Sequence, residues 1–282
     1  MSLGRRKVGL DEASRWVFNR MAHLYDARPQ YPSALFDALA DIAHRAQGTA
    51  AAHICDLGAG TGHLALPLAE RGFDVSAIEP ARLMLDRLRD NAAARGVALR
   101  SVHAQAEALP VENASVDLAV IADALHFLDA QLAAHEIARV LTPRGALAVV
   151  TCEFGETPFM REVLSVIEDA VPRRPRELAQ QLVHVSSITQ VPLTHEVRFH
   201  DETPVDHPTL ERILRSISFI GPAMNPGRFA DFRARVRALG DAPFWARTFV
   251  LRFGWRQQKA ARGSASRNLS AGRHVLSLCK ER

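Results

Sequence analysis

The stretch from Ile54 to Pro80, ICDLGAGTGHLALPLAERGFDVSAIEP, constrains the fold more than any other part of the chain. Two apolar runs, AAHICDL and FDVSAIE, flank a loop containing three glycines and a segment with helical spacing. Each run ends near an acidic residue, Asp56 in the first and Glu79 in the second. Strand, glycine-rich turn, helix and second strand make up the unit from which parallel sheets are wound. Gly58, Gly60 and Gly62 let the backbone turn tightly and approach a ligand, because no Cβ stands in the way. The N–H groups that open the next helix attract negative charge.

The neighbouring segments extend the alternation. Upstream, DEASRWVFNRMAHLYDA has helical spacing, and YPSALFDALADIAHRA follows with Pro32 and Ser33 suiting a helix start. Downstream, ARLMLDRLRDNAAARG reads as a helix ending at Gly96, ALRSVHA and VDLAVIA as short strands, AQLAAHEIARVL as a helix and ALAVVTCEF as a strand. Two later strands, THEVRFHD and TFVLRFGW, are separated by helical stretches such as TLERILRSIS and GRFADFRARVRAL. The segment HLALPLAERG after the glycines reads as a helix closed by Gly72. Such alternation predicts an α/β chain with a mostly parallel sheet and helices on both faces. A chain of 282 residues with 48% hydrophobic content can bury the core this requires.

A glycine-rich turn between strand and helix often holds a dinucleotide, and here two features argue otherwise. The dinucleotide spacing is GxGxxG, whereas this loop has GxGxG, with His63 where the third glycine or alanine would fall. Asp56, two residues before Gly58, would repel a pyrophosphate seated in the loop; it suits a ligand bearing an ammonium and a sulfonium. Glu79 is placed to accept hydrogen bonds from the two hydroxyls of a ribose. Without their neighbours, Asp56 reads equally as a turn cap and Glu79 as a solvated strand end.

These residues carry a resemblance. DLGAGTG followed by AIEP is similar to the first two motifs of the class I S-adenosylmethionine-dependent methyltransferases. HAQAEALPVENASVDLAVIADALHFLD and EIARVLTPRGALAVV resemble the family's later motifs in order and spacing, and YDARPQYP resembles a segment of a small-molecule subgroup. The resemblance is close over residues 20–152 and looser beyond. It implies a doubly wound, mostly parallel, seven-stranded Rossmann-like sheet with the last strand antiparallel, plus helical lid insertions at 153–193 and 202–245. The implied organisation is N-terminal helices over the cofactor (1–48), a cofactor-binding core (49–152), late strands with substrate lids (153–257) and a basic tail (258–282).

The resemblance also implies roles by position. The cofactor is S-adenosyl-L-methionine. Asp56, Gly58, Gly60 and Gly62 would line its methionyl half, and Glu79 its ribose. Met84 would pack on the adenine if it is not simply core, and Gln105 and Ala106 would sit at the adenine edge, where the family often has an aspartate instead of Gln105. Ala122 would offer a carbonyl to the methionyl ammonium. Tyr25 and Arg28 would clamp the carboxylate, for which a planar guanidinium is suited. His126 is a candidate base, pocket wall or helix cap; Phe127, Ser216 and Ser218 are candidate acceptor contacts. No histidine or cysteine has metal-ligand spacing.

Charge bears on the partner. The net charge is +4, and eight basic residues after position 251 face only Glu281. Only three of the 35 basic residues are lysines, and the tail has neither dense basic runs nor aromatics after Trp255. A solvated tail is therefore expected instead of a nucleic-acid arm, and its removal should affect solubility or stability more than cofactor binding. Cys55, Cys152 and Cys279 are dispersed, fitting a reducing cytoplasm, and the charged N-terminus has no apolar signal core. No run suits a membrane helix. The expectation is a cytoplasmic enzyme, monomer or homodimer, methylating a small metabolite. The alternatives are a relative that binds the cofactor without turnover, or an acceptor that is tRNA or protein.

Overall fold

A computed structural model describes residues 12–47, 51–171, 177–240 and 244–257. The expected basic tail and Cys279 lie outside the described residues. In chain order these form α1 (Glu12–Tyr25), α2 (Ser33–Gln47), β1 (His53–Leu57), α3 (Ala65–Glu70), β2 (Asp74–Ile78), α4 (Arg82–Arg95), β3 (Arg100–Val102) and β4 (Val116–Ala122). After a 3-10 turn at Leu125–Phe127 come α5 (Ala130–Val140), β5 (Leu141–Phe154), α6 (Pro158–Ala170), α7 (Leu178–Thr189), β6 (His195–Pro204), α8 (His207–Arg215), α9 (Pro226–Arg237) and β7 (Phe244–Trp255).

The strands form one sheet in the order β3-β2-β1-β4-β5-β7-β6. β1 to β5 run parallel, and β7 is antiparallel to both β5 and β6. The order reverses between β1 and β4, so the first loop opens at the switch point, where such sheets bind ligands. β1 and β4 are buried almost throughout, which explains their continuous apolar reading. β6 is an edge strand whose exposed charged side chains discourage further strand pairing.

Helix starts follow local chemistry. Thr157, Asp206 and Asn225 each accept a hydrogen bond from a backbone N–H of the first turn of α6, α8 and α9, and each of those helices carries a proline in its first turn. Gly96 ends α4 at φ +65°. The helix expected over 63–72 is shorter, six residues, because the glycine turn consumes its first part and no side chain caps Leu64.

Apolar side chains of α2, including Leu35 and Leu39, cover one sheet face; α5 and α7 cover the other through Ile137 and Val185. A third cluster joins α6, α8 and α9 to Trp245 and Ala246 of β7. The segment 153–193 is thus not all lid. α6 belongs to the third cluster, while α7 packs beside α5 and completes the sheet's second face. No described helix is long and apolar enough to cross a membrane.

Candidate active site

The glycine loop is fixed from the second strand. The N–H groups of Gly58 and Ala59 both donate to the carbonyl of Ile78, at 2.9 and 3.0 Å. One residue further, Glu79 accepts from Gly60 N at 2.8 Å and from Ala81 N, just before α4, at 2.7 Å. Its carboxylate therefore spans the loop and the α4 N-terminus. Gly58, Gly60 and Gly62 adopt φ of +79°, +58° and +94°. A Cβ on Gly58 would stand 2.8 Å from that of Ala124, and one on Gly62 2.9 Å from Leu66. Gly62 thus serves the packing of the loop on α3 and α4, not the pocket wall.

Tyr25, Gly58, Gly60, Glu79, Met84, Gln105, Ala106 and Ala122 surround one pocket. Met84 is both wall and core, being 2% exposed beside Ala22 and Ala81. Phe18, Pro80, Glu107, Asp123, Ala124, Phe127 and Leu128 complete the wall. Of these, Phe18 belongs to α1, which lies across the site. Asn19 accepts from Leu83 N at 2.9 Å, capping α4 from outside, and Asn91 donates to the Thr61 carbonyl at 3.0 Å.

Asp56 is not on that wall. It lies buried behind the loop, and neither carboxylate oxygen has a hydrogen-bond partner among the described residues. Burial, then the charge of Glu79, pushes its pKa up to about 7; the nearby Ala65 N–H offsets part of the rise without making a well-formed hydrogen bond. Burial also pushes Glu79 up to about 7, partly offset by its two backbone donors. Two buried carboxyl groups beneath one pocket form a strongly negative floor when ionised.

A second, larger chamber of about 950 Å³ adjoins the first and shares Tyr25, Asp123 and Phe127 with it. Of the candidate acceptor contacts, His126, Phe127 and Ser218 line it and Ser216 does not. Ser216 is completely buried, accepts from Arg28 Nε at 2.9 Å and donates to the Ile213 carbonyl at 2.6 Å. Arg28 is also placed differently from the expected carboxylate clamp. It lines the chamber, with Nη2 on the Ser216 carbonyl at 2.7 Å and Nη1 on the Tyr25 hydroxyl at 3.1 Å. The α8 end thus holds Arg28 against Tyr25, a tertiary contact across 188 residues.

Further residues were not legible in sequence. His63 bridges Thr61 Oγ1 and the Arg28 carbonyl, and burial pushes its pKa down to about 4, so it is neutral. Arg247 of β7 pairs with Asp201 and donates to the carbonyls of Pro29 and Gln30 at 3.0 and 2.8 Å. It ties the late strands to the loop carrying Arg28. Asp123 follows β4 with φ +48°, unusual for a non-glycine residue, and its N–H donates to the Val150 carbonyl. The only sequence signal for Asp123 was its place at a strand end.

A model of a methyltransferase domain matches residues 55–149. An "Uncharacterized methyltransferase" of Mycobacterium tuberculosis is 43% identical over 179 residues, covering 62% of this chain and 67% of that protein. The chain belongs to the class I S-adenosylmethionine-dependent methyltransferases. A malonyl-[acyl-carrier protein] O-methyltransferase of Geobacter sulfurreducens is 29% identical over 259 residues, 89% of this chain and 93% of the relative. The crystal structure of the YcgJ protein of Bacillus subtilis has the same fold, with TM-score 0.52 and 21% identity over 79% of this chain and 99% of that one. The enzyme's family uses S-adenosylmethionine as its methyl donor in general.

Proposed function

We propose that this methyltransferase binds S-adenosyl-L-methionine in the glycine-loop pocket and methylates an O, N or C atom of a small, partly apolar metabolite in the adjoining chamber. The observation that carries this is the junction of the two spaces at Tyr25, Asp123 and Phe127. The residues present fit the cofactor: Asp56 is a buried carboxyl group without a partner, suited to a cationic ligand, and Glu79 is held at the loop to accept from a ribose. No described residue lining this pocket is a lysine or arginine that would neutralise a pyrophosphate. Bound there, the cofactor supplies a methyl group already activated by a sulfonium.

The protein's contribution is then placement. Arg28, fixed by Ser216, and Tyr25, whose pKa burial keeps raised so that it stays protonated, hold the boundary between the two spaces. Such positioning contributes about 7–11 kcal/mol to a transfer between two bound groups. His126 lines the chamber beside Phe127 and is the group we assign as base. His126→Ala should lower kcat about 10²-fold with cofactor affinity unchanged. A rise in acceptor KM with little change in kcat would instead make it a wall residue.

Ionisation of the floor gives a pH signature. Asp56 and Glu79 have folded pKa values near 7 against ordinary values of 3.8 and 4.5. The folded protein therefore binds more protons than the unfolded chain between these limits. This stabilisation is whole below the ordinary values and is lost as pH rises through about 7. A cationic ligand favours the ionised form, so S-adenosylmethionine affinity should rise through the same range, with proton release on binding. Calorimetry at about pH 6 in two buffers of different ionisation enthalpy should give different heats, converging by about pH 8.5. Equal heats at the lower pH would rule out deprotonation of this pair.

The functional reading is tested by micromolar binding of S-adenosylmethionine without NAD binding, followed by product detection across an acceptor panel. Mass spectrometry of any molecule carried through purification would identify the acceptor most directly. Binding without turnover across the panel favours a non-catalytic relative. A second reading, an acceptor tethered to a carrier protein, is supported by the Geobacter relative's name and wide coverage.

A further inference from the structure

The two spaces share Tyr25, Asp123 and Phe127, so a methyl group passing from one to the other passes beside these residues. Phe127 offers only a ring. Tyr25 keeps its proton, and its hydroxyl accepts from Arg28 Nη1 at 3.1 Å. Asp123 is thus the one of the three that can hold a negative charge at the junction. The other charged side chains line one space only, and each is engaged. Glu79 and Glu107, in the cofactor pocket, accept from the N–H groups of Gly60 and Ala81 and of Asp129. In the chamber, Arg28 is held by Ser216, Glu153 lies 3.6 Å from Arg198 and Arg247 pairs with Asp201.

Asp123 directly follows β4, beside β1 and its glycine loop, at the carboxyl ends of the parallel strands. Its φ of +48° is held by the hydrogen bond from its N–H to the Val150 carbonyl, at 2.8 Å. Glycine takes that conformation without cost, so the turn by itself does not call for a carboxylate. A side chain kept in a sparsely populated backbone region points to function. The residue is half-buried with Oδ1 inside the protein, which leaves Oδ2 as the oxygen for a ligand. Its charge reaches both tyrosines of the chamber. Tyr25 is raised by burial, lowered by Arg28 and raised further by Asp123, and Tyr31 is raised by burial, then by Tyr25 and Asp123.

We propose that Asp123 is a catalytic residue at the transfer point, where its carboxylate accepts the hydrogen bond of an O–H or N–H acceptor. This rests on the proposed function and goes further by narrowing the acceptor to an atom that carries a proton. Such a bond turns a lone pair of the acceptor atom toward the methyl carbon. That lone pair forms the new bond as the carbon–sulfur bond breaks, with the electron pair of the broken bond staying on sulfur. The acceptor's proton passes to Asp123, and from there to His126, which lines the chamber but not the cofactor pocket.

Sinefungin tests this without an acceptor, because it carries an ammonium where S-adenosylmethionine carries the transferred methyl. S-adenosylhomocysteine, with nothing at that position, is the control. Calorimetry on the full-length protein near neutral pH gives the ratio of the two affinities. Asp123→Asn suits the same backbone conformation and should lower the preference for sinefungin about tenfold or more, the scale of one hydrogen bond to a charged group. S-adenosylhomocysteine binding should hold. Asp123→Gly, which removes the side chain and keeps the turn, should lower the preference as far. An unchanged ratio in either variant overturns the proposal, since a side chain serving only the turn would leave it so. Loss of S-adenosylhomocysteine binding in both variants also overturns it, because Asp123 would then serve the cofactor pocket. In the acceptor panel the product should be an ether or an N-methyl amine, and a methyl ester or C-methyl product counts against the assignment. A wild type that binds neither ligand would sink the proposed function and this proposal together, whereas binding of both with an unchanged ratio sinks Asp123 alone.

Discussion

Gly58→Val is expected to lower stability by about 3–5 kcal/mol and to abolish measurable cofactor binding. Gly58 adopts φ +79°, a conformation costing a non-glycine residue about 1–3 kcal/mol and a β-branched one at the upper end. The added Cβ would also stand 2.8 Å from that of Ala124, on the loop after β4, which cannot retreat without moving the pocket wall. Overpacking of this kind costs a further 1–3 kcal/mol or so. Thermal unfolding should fall by roughly 10 °C for a chain of this size. A Gly58→Val protein that melts and binds S-adenosylmethionine like the wild type would show that the loop is not held as described.

Glu79→Ala should act on both binding and folding. The carboxylate satisfies the N–H groups of Gly60 and Ala81, and both would be orphaned in a buried position. Leaving a buried donor unsatisfied costs about 1–3 kcal/mol. Loss of the charged acceptor for the ribose should cost about 1.5–3 kcal/mol more in cofactor affinity, some ten- to a hundredfold. Glu79→Gln keeps one acceptor oxygen and should recover part of both effects. Calorimetry alongside thermal unfolding separates the two contributions, and unchanged affinity in Glu79→Ala would remove Glu79 from the site.

Much of the pocket was legible because its parts are local. Three glycines, an acid before them and an acid at the end of the next strand fall within one strand–turn–helix–strand unit, so sequence order dictates their spatial order. Asp56 and Gly62 show the limit even there. Spacing placed them at the loop but not behind it, since whether a loop residue faces ligand or core depends on what fills the other side: Leu66 and Leu88 for Gly62, and the closed packing around Asp56.

The chamber was far less legible. Thr151, Arg247 and Tyr31 lie on separate elements, and their side chains share no spacing that a linear pattern could expose. Arg28 was recognised, but its direction was set by Ser216, 188 residues away. Ser216 itself was expected at the acceptor and is instead the anchor of Arg28, because the end of α8 turns its hydroxyl inward. The segment holding α7 looked like lid, yet its apolar face was needed to cover α5 and the sheet beside it.

The sequence by itself determined the alternating α/β plan, the glycine loop with its two acids, and the helix start at Pro32 and Ser33. Those are consequences of backbone conformation and of hydrogen bonds between near neighbours, which a few adjacent residues settle. Only the tertiary structure decided that Arg28 faces the chamber, and that Thr151 is left with a hydroxyl unpartnered among the described residues. These depend on packing and on the pairing of polar groups between distant segments, where the identity of one residue says nothing until its neighbours in space are known.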